Sequence, residues 1–124
     1  MFNKHTETRV ETLICGELRT AKEQYGETFN SLHEAYAVAL EELEETKADF
    51  ENIKTIFNYF WVAVKSDIKS YFENDLRSTK YYAVETIKEL AQFAAMIDKT
   101  LETLEKEKKA GTEKISVVQK GGEK

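Results

Sequence analysis

No proline occurs anywhere in this chain of 124 residues, although ordinary usage of about 5% would supply roughly six. Proline punctuates turns and sheet edges and breaks helix interiors, so its absence favours a few long helices over many short strands. Glycine is sparse, at Gly16, Gly26, Gly111, Gly121 and Gly122. The single cysteine, Cys15, excludes an internal disulfide and a cysteine-based zinc cage. No apolar run approaches the roughly 18 residues of a membrane span, and no signal-peptide pattern opens the chain. Those two absences predict a cytoplasmic protein with no membrane partner. The 18 basic residues form no stripe and are outnumbered by 23 acids, so nucleic acid is not an expected partner. A glycine-rich phosphate loop is also missing, which excludes a P-loop mechanism.

What is present is a composition 41% hydrophobic and 33% charged, enough for one domain with a modest core. Val10, Leu13, Ile14, Leu18, Ala21 and Tyr25 recur at helical spacing and predict a first helix over about 6–24, closed by Gly26. Ser31, with Glu34 three residues on, reads as a capping box that opens a second helix over about 32–64. The stripe of that helix, from Leu32, Ala35, Ala39 and Leu43 through Thr46, Phe50, Ile53, Phe57 and Phe60 to Val64, has the near-heptad step of an antiparallel bundle seam. Residues 65–75 are ambiguous, since Ser66-Asp67 can end one helix and cap another. A third helix is predicted over about 76–109, with Leu76, Ala83, Ile87, Leu90, Ala94, Ile97, Leu101 and Leu104 on one side. The fold class is therefore all-α, an antiparallel bundle of three to four helices. The domain spans 1–110, followed by a flexible polar tail over 111–124 in which 115–118 could pair as a strand.

The acids are unevenly placed. Glu34, Glu41, Glu42, Glu44, Glu45, Asp49 and Glu51 share their window with one base, Lys47, so this stretch carries more than the whole net charge of −5. On a helix, Glu42 and Glu45 lie about 60° apart and one turn above each other, at the edge of the apolar stripe. Stacked like charges repel, and more so where water is scarce. A hard divalent cation such as Mg²⁺ would neutralise them, since it takes a few carboxylates and leaves its other positions to water or phosphate oxygens. A solvated acidic face beside Lys47 and Lys54 explains the same spacing without a ligand.

The run Glu41-Glu42-x-x-Glu45 resembles the EExxE motif of the all-α MazG-like nucleoside triphosphate pyrophosphohydrolases. With Tyr25-Gly26, Phe29, Ser31 and His33-Glu34-Ala35-Tyr36-Ala37-Val38 ahead of it, the stretch is similar to small phage and prophage MazG-like proteins of Gram-positive bacteria. The family's second motif, ExxD, is matched by Glu89-Leu90-Ala91-Gln92. The resemblance covers about 25–99. It implies Mg²⁺ held by Glu42, Glu45, Glu89 and Gln92, the last standing where the family has Asp. It implies hydrolysis of a nucleoside triphosphate to the monophosphate and pyrophosphate, in a host cytoplasm. The neutral Gln92 and a longer gap between the motifs leave open a second reading, a non-enzymatic phage-type helical protein that keeps the scaffold. A coiled-coil adaptor is a third.

Helix arithmetic puts Glu85, Glu89, Gln92 and Met96 opposite the main stripe of the third helix. They meet Glu42 and Glu45 only if both faces of that helix are packed, which predicts a homo-oligomer, dimer or tetramer. Glu85 or Asp49 could supply the missing acid. His33 reads as a first-turn surface residue, Cys15 as a small packed one, and the aromatics between Phe57 and Tyr82 as core or interface.

Overall fold

The computed structural model describes residues 3–122, with side chains described through residue 111. It is all-helical among those residues: α1 is Lys4–Tyr25, α2 is Leu32–Lys65, and α3 is Phe72–Gly122, with a single 3₁₀ turn at Lys69–Tyr71. Asn3 caps α1, its side-chain oxygen accepting from the Thr6 N–H at 2.8 Å. Gly26 closes the helix at φ 96°, a conformation that favours glycine, and donates its N–H to the Lys22 carbonyl at 2.9 Å. Ser31 caps α2 as its spacing predicts, with Oγ accepting from the Glu34 N–H at 3.1 Å. The Glu34 carboxylate does not close a box; it accepts from Asn30 Nδ2 at 3.1 Å. Ser66-Asp67 does end α2, with Asp67 in the left-handed region at φ 56°, where Asp is tolerated.

α2 and α3 form a long antiparallel hairpin, tied near its turn by Phe60 edge-on to Phe72 at 5.7 Å and at the other end by the Phe29 N–H on Thr103 Oγ1 at 3.1 Å. α1 packs on α3 and makes no close backbone approach to α2. Lys22 pairs with Glu102 at 2.6 Å, and Glu17 lies towards Glu42 across from Gln92. α1 thus runs in the direction of α3. With α1 and α2 both resting on α3 but apart from each other, a cleft is left between them.

Small side chains fill the contacts. Ala21, Ala35, Ala39 and Ala95 are buried with Phe29 and Met96, and Ile14, Leu18, Val38 and Phe93 pack around them. Buried Thr46, Thr86 and Thr103 satisfy their hydroxyls on the carbonyl four residues back. Alanine at a helix contact lets the backbones approach closely, and this decides which face of α3 points inward. That face is Ala91, Ala95, Met96 and Lys99. The predicted stripe lies outside it: Ile87 is 57% exposed, and Leu76, Leu90, Ile97 and Leu101 are exposed as well. The α2 stripe is split in the same way, with Ala35, Ala39 and Thr46 buried but Leu32, Leu43, Phe50, Phe57 and Val64 exposed.

α3 also outruns its predicted end. The backbone over 111–122, including 115–118 where a strand was the alternative, continues as helix. Gly111 costs a helix about 1 kcal/mol relative to alanine, and no proline follows to stop it. The remainder of the expected tail, the side chains of 112–122 and residues 123 and 124, lies outside the described residues. No helix among the described residues is long and apolar enough to cross a membrane.

Candidate metal centre

Two helices bring the predicted acids together. Glu42 and Glu45 project from one turn of α2, and the antiparallel register sets Glu89 of α3 opposite them. Each offers a carboxylate oxygen, and these atoms lie within 4.8 Å of one another. That spacing suits a shared cation at about 2.0–2.6 Å from each oxygen. None of the three forms an ion pair with a lysine or arginine among the described residues. The lysine beside them, Lys88, turns away to Glu85 at 3.0 Å.

Gln92, one turn beyond Glu89, completes the group in an unexpected sense. With its amide nitrogen inward it donates to Glu42 Oε2 at 3.0 Å and to Glu89 Oε2 at 3.2 Å. Glu42, Glu89 and Gln92 are half-buried while Glu45 faces solvent, so the cluster opens to water on one side.

The electrostatics register the crowding. Burial is the largest influence on Glu89, followed by hydrogen bonding and repulsion from Glu45 and then Glu42; together they push its carboxyl up to about 7. Burial and the charge of Glu45 raise Glu42 too, while the hydrogen bond from Glu89 opposes that rise. Near neutral pH the cluster therefore shares a proton, carried on Glu89 and donated towards Glu42 and Glu45.

A raised carboxyl favours the protonated folded state. Its stabilisation is complete below about pH 4.5, the ordinary carboxyl value, and is lost as pH rises through 7. The metal-free protein is expected to melt at a lower temperature at pH 8 than at pH 5, and millimolar Mg²⁺ to restore the loss at pH 8. Because a cation must displace this proton, its affinity should rise about tenfold between pH 6 and 8. Differential scanning calorimetry and Mn²⁺ titration at the two pH values check both expectations.

The other candidates stand apart. Glu85 pairs with Lys88, and Asp49 lies outside the group. His33 is exposed, and so is Cys15, which was expected to be packed. Of the aromatics between Phe57 and Tyr82, Phe60 and Phe72 tie the hairpin, and Phe57, Tyr59, Trp61, Tyr71 and Tyr81 are exposed.

Between α1 and α2 the cleft forms a cavity of about 650 Å³, floored by Gln92, Met96 and Lys99 of α3. Glu42 stands at one end, and Tyr25 and Phe29 contribute the aromatic surface. Its size is that of a small-molecule site. Lys99 continues the Gln92, Met96 face at helical spacing, but a single lysine there carries no pattern in the sequence that marks it as part of a site.

Comparison with protein-family models, with curated proteins and with solved structures finds no match for this chain.

Proposed function

We propose that this chain is a divalent-cation-dependent nucleoside triphosphate pyrophosphohydrolase of the MazG-like kind, or a nucleotide-binding relative of one. The observation that carries this reading is the convergence of three carboxylates from two helices, within 4.8 Å and with no lysine or arginine paired to them among the described residues, beside a cavity of about 650 Å³. Three acids kept together at the edge of a core repel one another, and nothing among the described residues besides Gln92 and a shared proton relieves them. Glu42, Glu45 and Glu89 would hold Mg²⁺, with Gln92 able to turn its carbonyl oxygen inward as a neutral fourth ligand. A bound cation supplies Lewis-acid polarisation of the phosphate. The chain's own carboxylates orient a water for attack on the α-phosphorus and accept its proton, as the bond to the bridging oxygen of pyrophosphate breaks.

The test is a panel of common and modified nucleoside triphosphates with Mg²⁺ or Mn²⁺, read by pyrophosphate release. Metal-dependent turnover of at least one substrate is expected. No turnover together with no metal-dependent rise in melting temperature ends the proposal.

A specific observation favours the second reading, a scaffold protein with a degenerate site. Gln92 donates to both Glu42 and Glu89 and so does part of what a cation would do. The two readings part at this residue. Gln92→Asp is expected to strengthen Mn²⁺ binding about tenfold by adding a fourth charge, and to lower the melting temperature of the metal-free protein. An unchanged affinity favours the scaffold.

We also propose that the chain is a homodimer, built on the apolar surface that α2 and α3 leave open. Leu40, Leu43, Phe50 and Leu90 line a hollow of about 510 Å³ there. The chain exposes 9680 Å², whereas size scaling gives roughly 6,800 Å² for a compact monomer of this mass. Glu44 and Lys47 rim the hollow without pairing to each other, and a two-fold contact can join them crosswise.

A further inference from the structure

Lys99 is the most deeply buried large side chain in the described structure, at 1% exposure. Its Nζ sits 4.3 Å from the centre of the Phe29 ring. The Lys99 carbonyl accepts from Thr103 Oγ1 at 2.8 Å, but the Nζ makes no hydrogen bond or carboxylate ion pair among the described residues. Glu34, Lys22 and Glu27 lie near enough to act on it electrostatically, Lys22 as a like charge; Glu34 accepts from Asn30 and Glu27 pairs with Lys22. A cation–π contact offsets only part of the desolvation of an ammonium group, and the Nζ, which is not itself a fully buried atom, meets no protein acceptor among the described residues. Methionine would fill the same space without that penalty, so the charge calls for a separate explanation. Lys99 lines the cleft whose other end is Glu42 and Gln92.

We propose that Lys99 is the anion-binding residue of this cleft, taking the far end of a polyphosphate whose near end is held over the carboxylate cluster through a divalent cation. The proposal rests on the reading of that cluster as a cation site, and deepens it by fixing the ligand's class and direction. Gln92 and Lys99 lie on one face of α3 two turns apart, roughly 10 Å along the axis. A single phosphate cannot span that distance, whereas a nucleoside triphosphate can. The burial of Lys99 makes the contact selective: in a low-dielectric wall an ammonium gains most from a multiply charged partner and least from water.

The probes are Mn²⁺ alone, inorganic phosphate and tripolyphosphate, titrated calorimetrically into the full chain and its Lys99→Met and Glu89→Gln variants. The wild type is expected to bind tripolyphosphate at least tenfold more tightly with Mg²⁺ than without it, and inorganic phosphate only weakly. Lys99→Met should weaken tripolyphosphate binding at least tenfold, leave Mn²⁺ binding unchanged and raise the melting temperature. Lys99→Arg should retain part of the affinity if it folds, and the rise for methionine already separates lost recognition from lost folding. Unchanged tripolyphosphate affinity in Lys99→Met overturns the proposal while leaving the cation site standing. A lower melting temperature in that variant overturns it too, because the lysine is then a structural group. Lys99-dependent tripolyphosphate binding that needs no cation and survives Glu89→Gln supports the anion site but removes the cation-site reading it was built on.

Discussion

Glu89→Gln is expected to lose metal-dependent turnover by at least about a hundredfold, and yet to give a metal-free protein that melts higher at pH 8 than the wild type. The two effects come from the same geometry. Glu89 is the acid that α3 adds to the pair on α2, and without it the carboxylate count falls to two. Loss of a ligand's supporting partner alone typically costs 10–100-fold in metal affinity or activity, so loss of the ligand should lie at or beyond the upper end of that range. Against this, Glu89 is the group most disfavoured as an anion, with its carboxyl pushed up to about 7 by burial, Glu45 and Glu42. Glutamine keeps the shape and the hydrogen-bond donor that the protonated acid presents, and removes the charge that appears above pH 7. A carboxylate kept for structural reasons would give the opposite sign, with lower stability on replacement. Melting curves at pH 8 with and without Mg²⁺, run beside the pyrophosphate assay, separate the two. The wild type should gain stability from Mg²⁺ and the variant should not.

The second large effect concerns association. At micromolar concentration the chain is expected to sediment as a dimer, and Phe50→Glu with Leu90→Glu to sediment as a monomer of unchanged helix content. Phe50 is 52% exposed and Leu90 47%, and both line the apolar hollow between α2 and α3. Neither contributes to the buried alanine core, so charging them should spare the fold. A carboxylate in a desolvated two-fold contact meets its own copy or apolar neighbours, and central interface positions commonly cost 2 kcal/mol or more when truncated. Two such positions, each counted twice by symmetry, should weaken association by several orders of magnitude. Sedimentation equilibrium and far-ultraviolet circular dichroism check both halves. A wild type that stays monomeric at 100 μM contradicts the assignment of this face.

The candidate site was largely legible in the sequence because its chemistry is local. Glu42 and Glu45 occupy one helical turn by spacing alone, and Ser31 fixes where that helix starts. Glu89 and Gln92 came from a motif resemblance, and the antiparallel register of α2 and α3 brings them opposite the first pair. The inward face of α3 differs from its hydrophobic stripe for a physical reason. Ile87, Leu90, Ile97 and Leu101 dominate any hydrophobic pattern, but close helix contact in this fold brings Ala95 together with Ala35 and Ala39, and Ala91 is buried as well. Large apolar residues mark where surface must be buried, and they do not say whether the same chain buries it. Packing of the acid-bearing face was predicted to need both sides of α3 covered; within one chain that face is packed and the large stripe is the one left open. Lys99 escaped notice because a single lysine among Met96, Thr100 and Thr103 has no pattern of its own, and its isolation appears only once Phe29 is folded over it.

Whether Glu42, Glu45 and Glu89 act together as one cation site decides what this chain does. Electron paramagnetic resonance titration of Mn²⁺ at pH 8 tests this most directly, with free Mn²⁺ read from its sharp six-line signal. The expected result is one Mn²⁺ held per chain, displaced by Mg²⁺, and lost in Glu42→Gln and Glu89→Gln alike. Weak binding of the same strength in the wild type and both variants would contradict it, leaving the acids a solvated face of α2 that happens to meet α3.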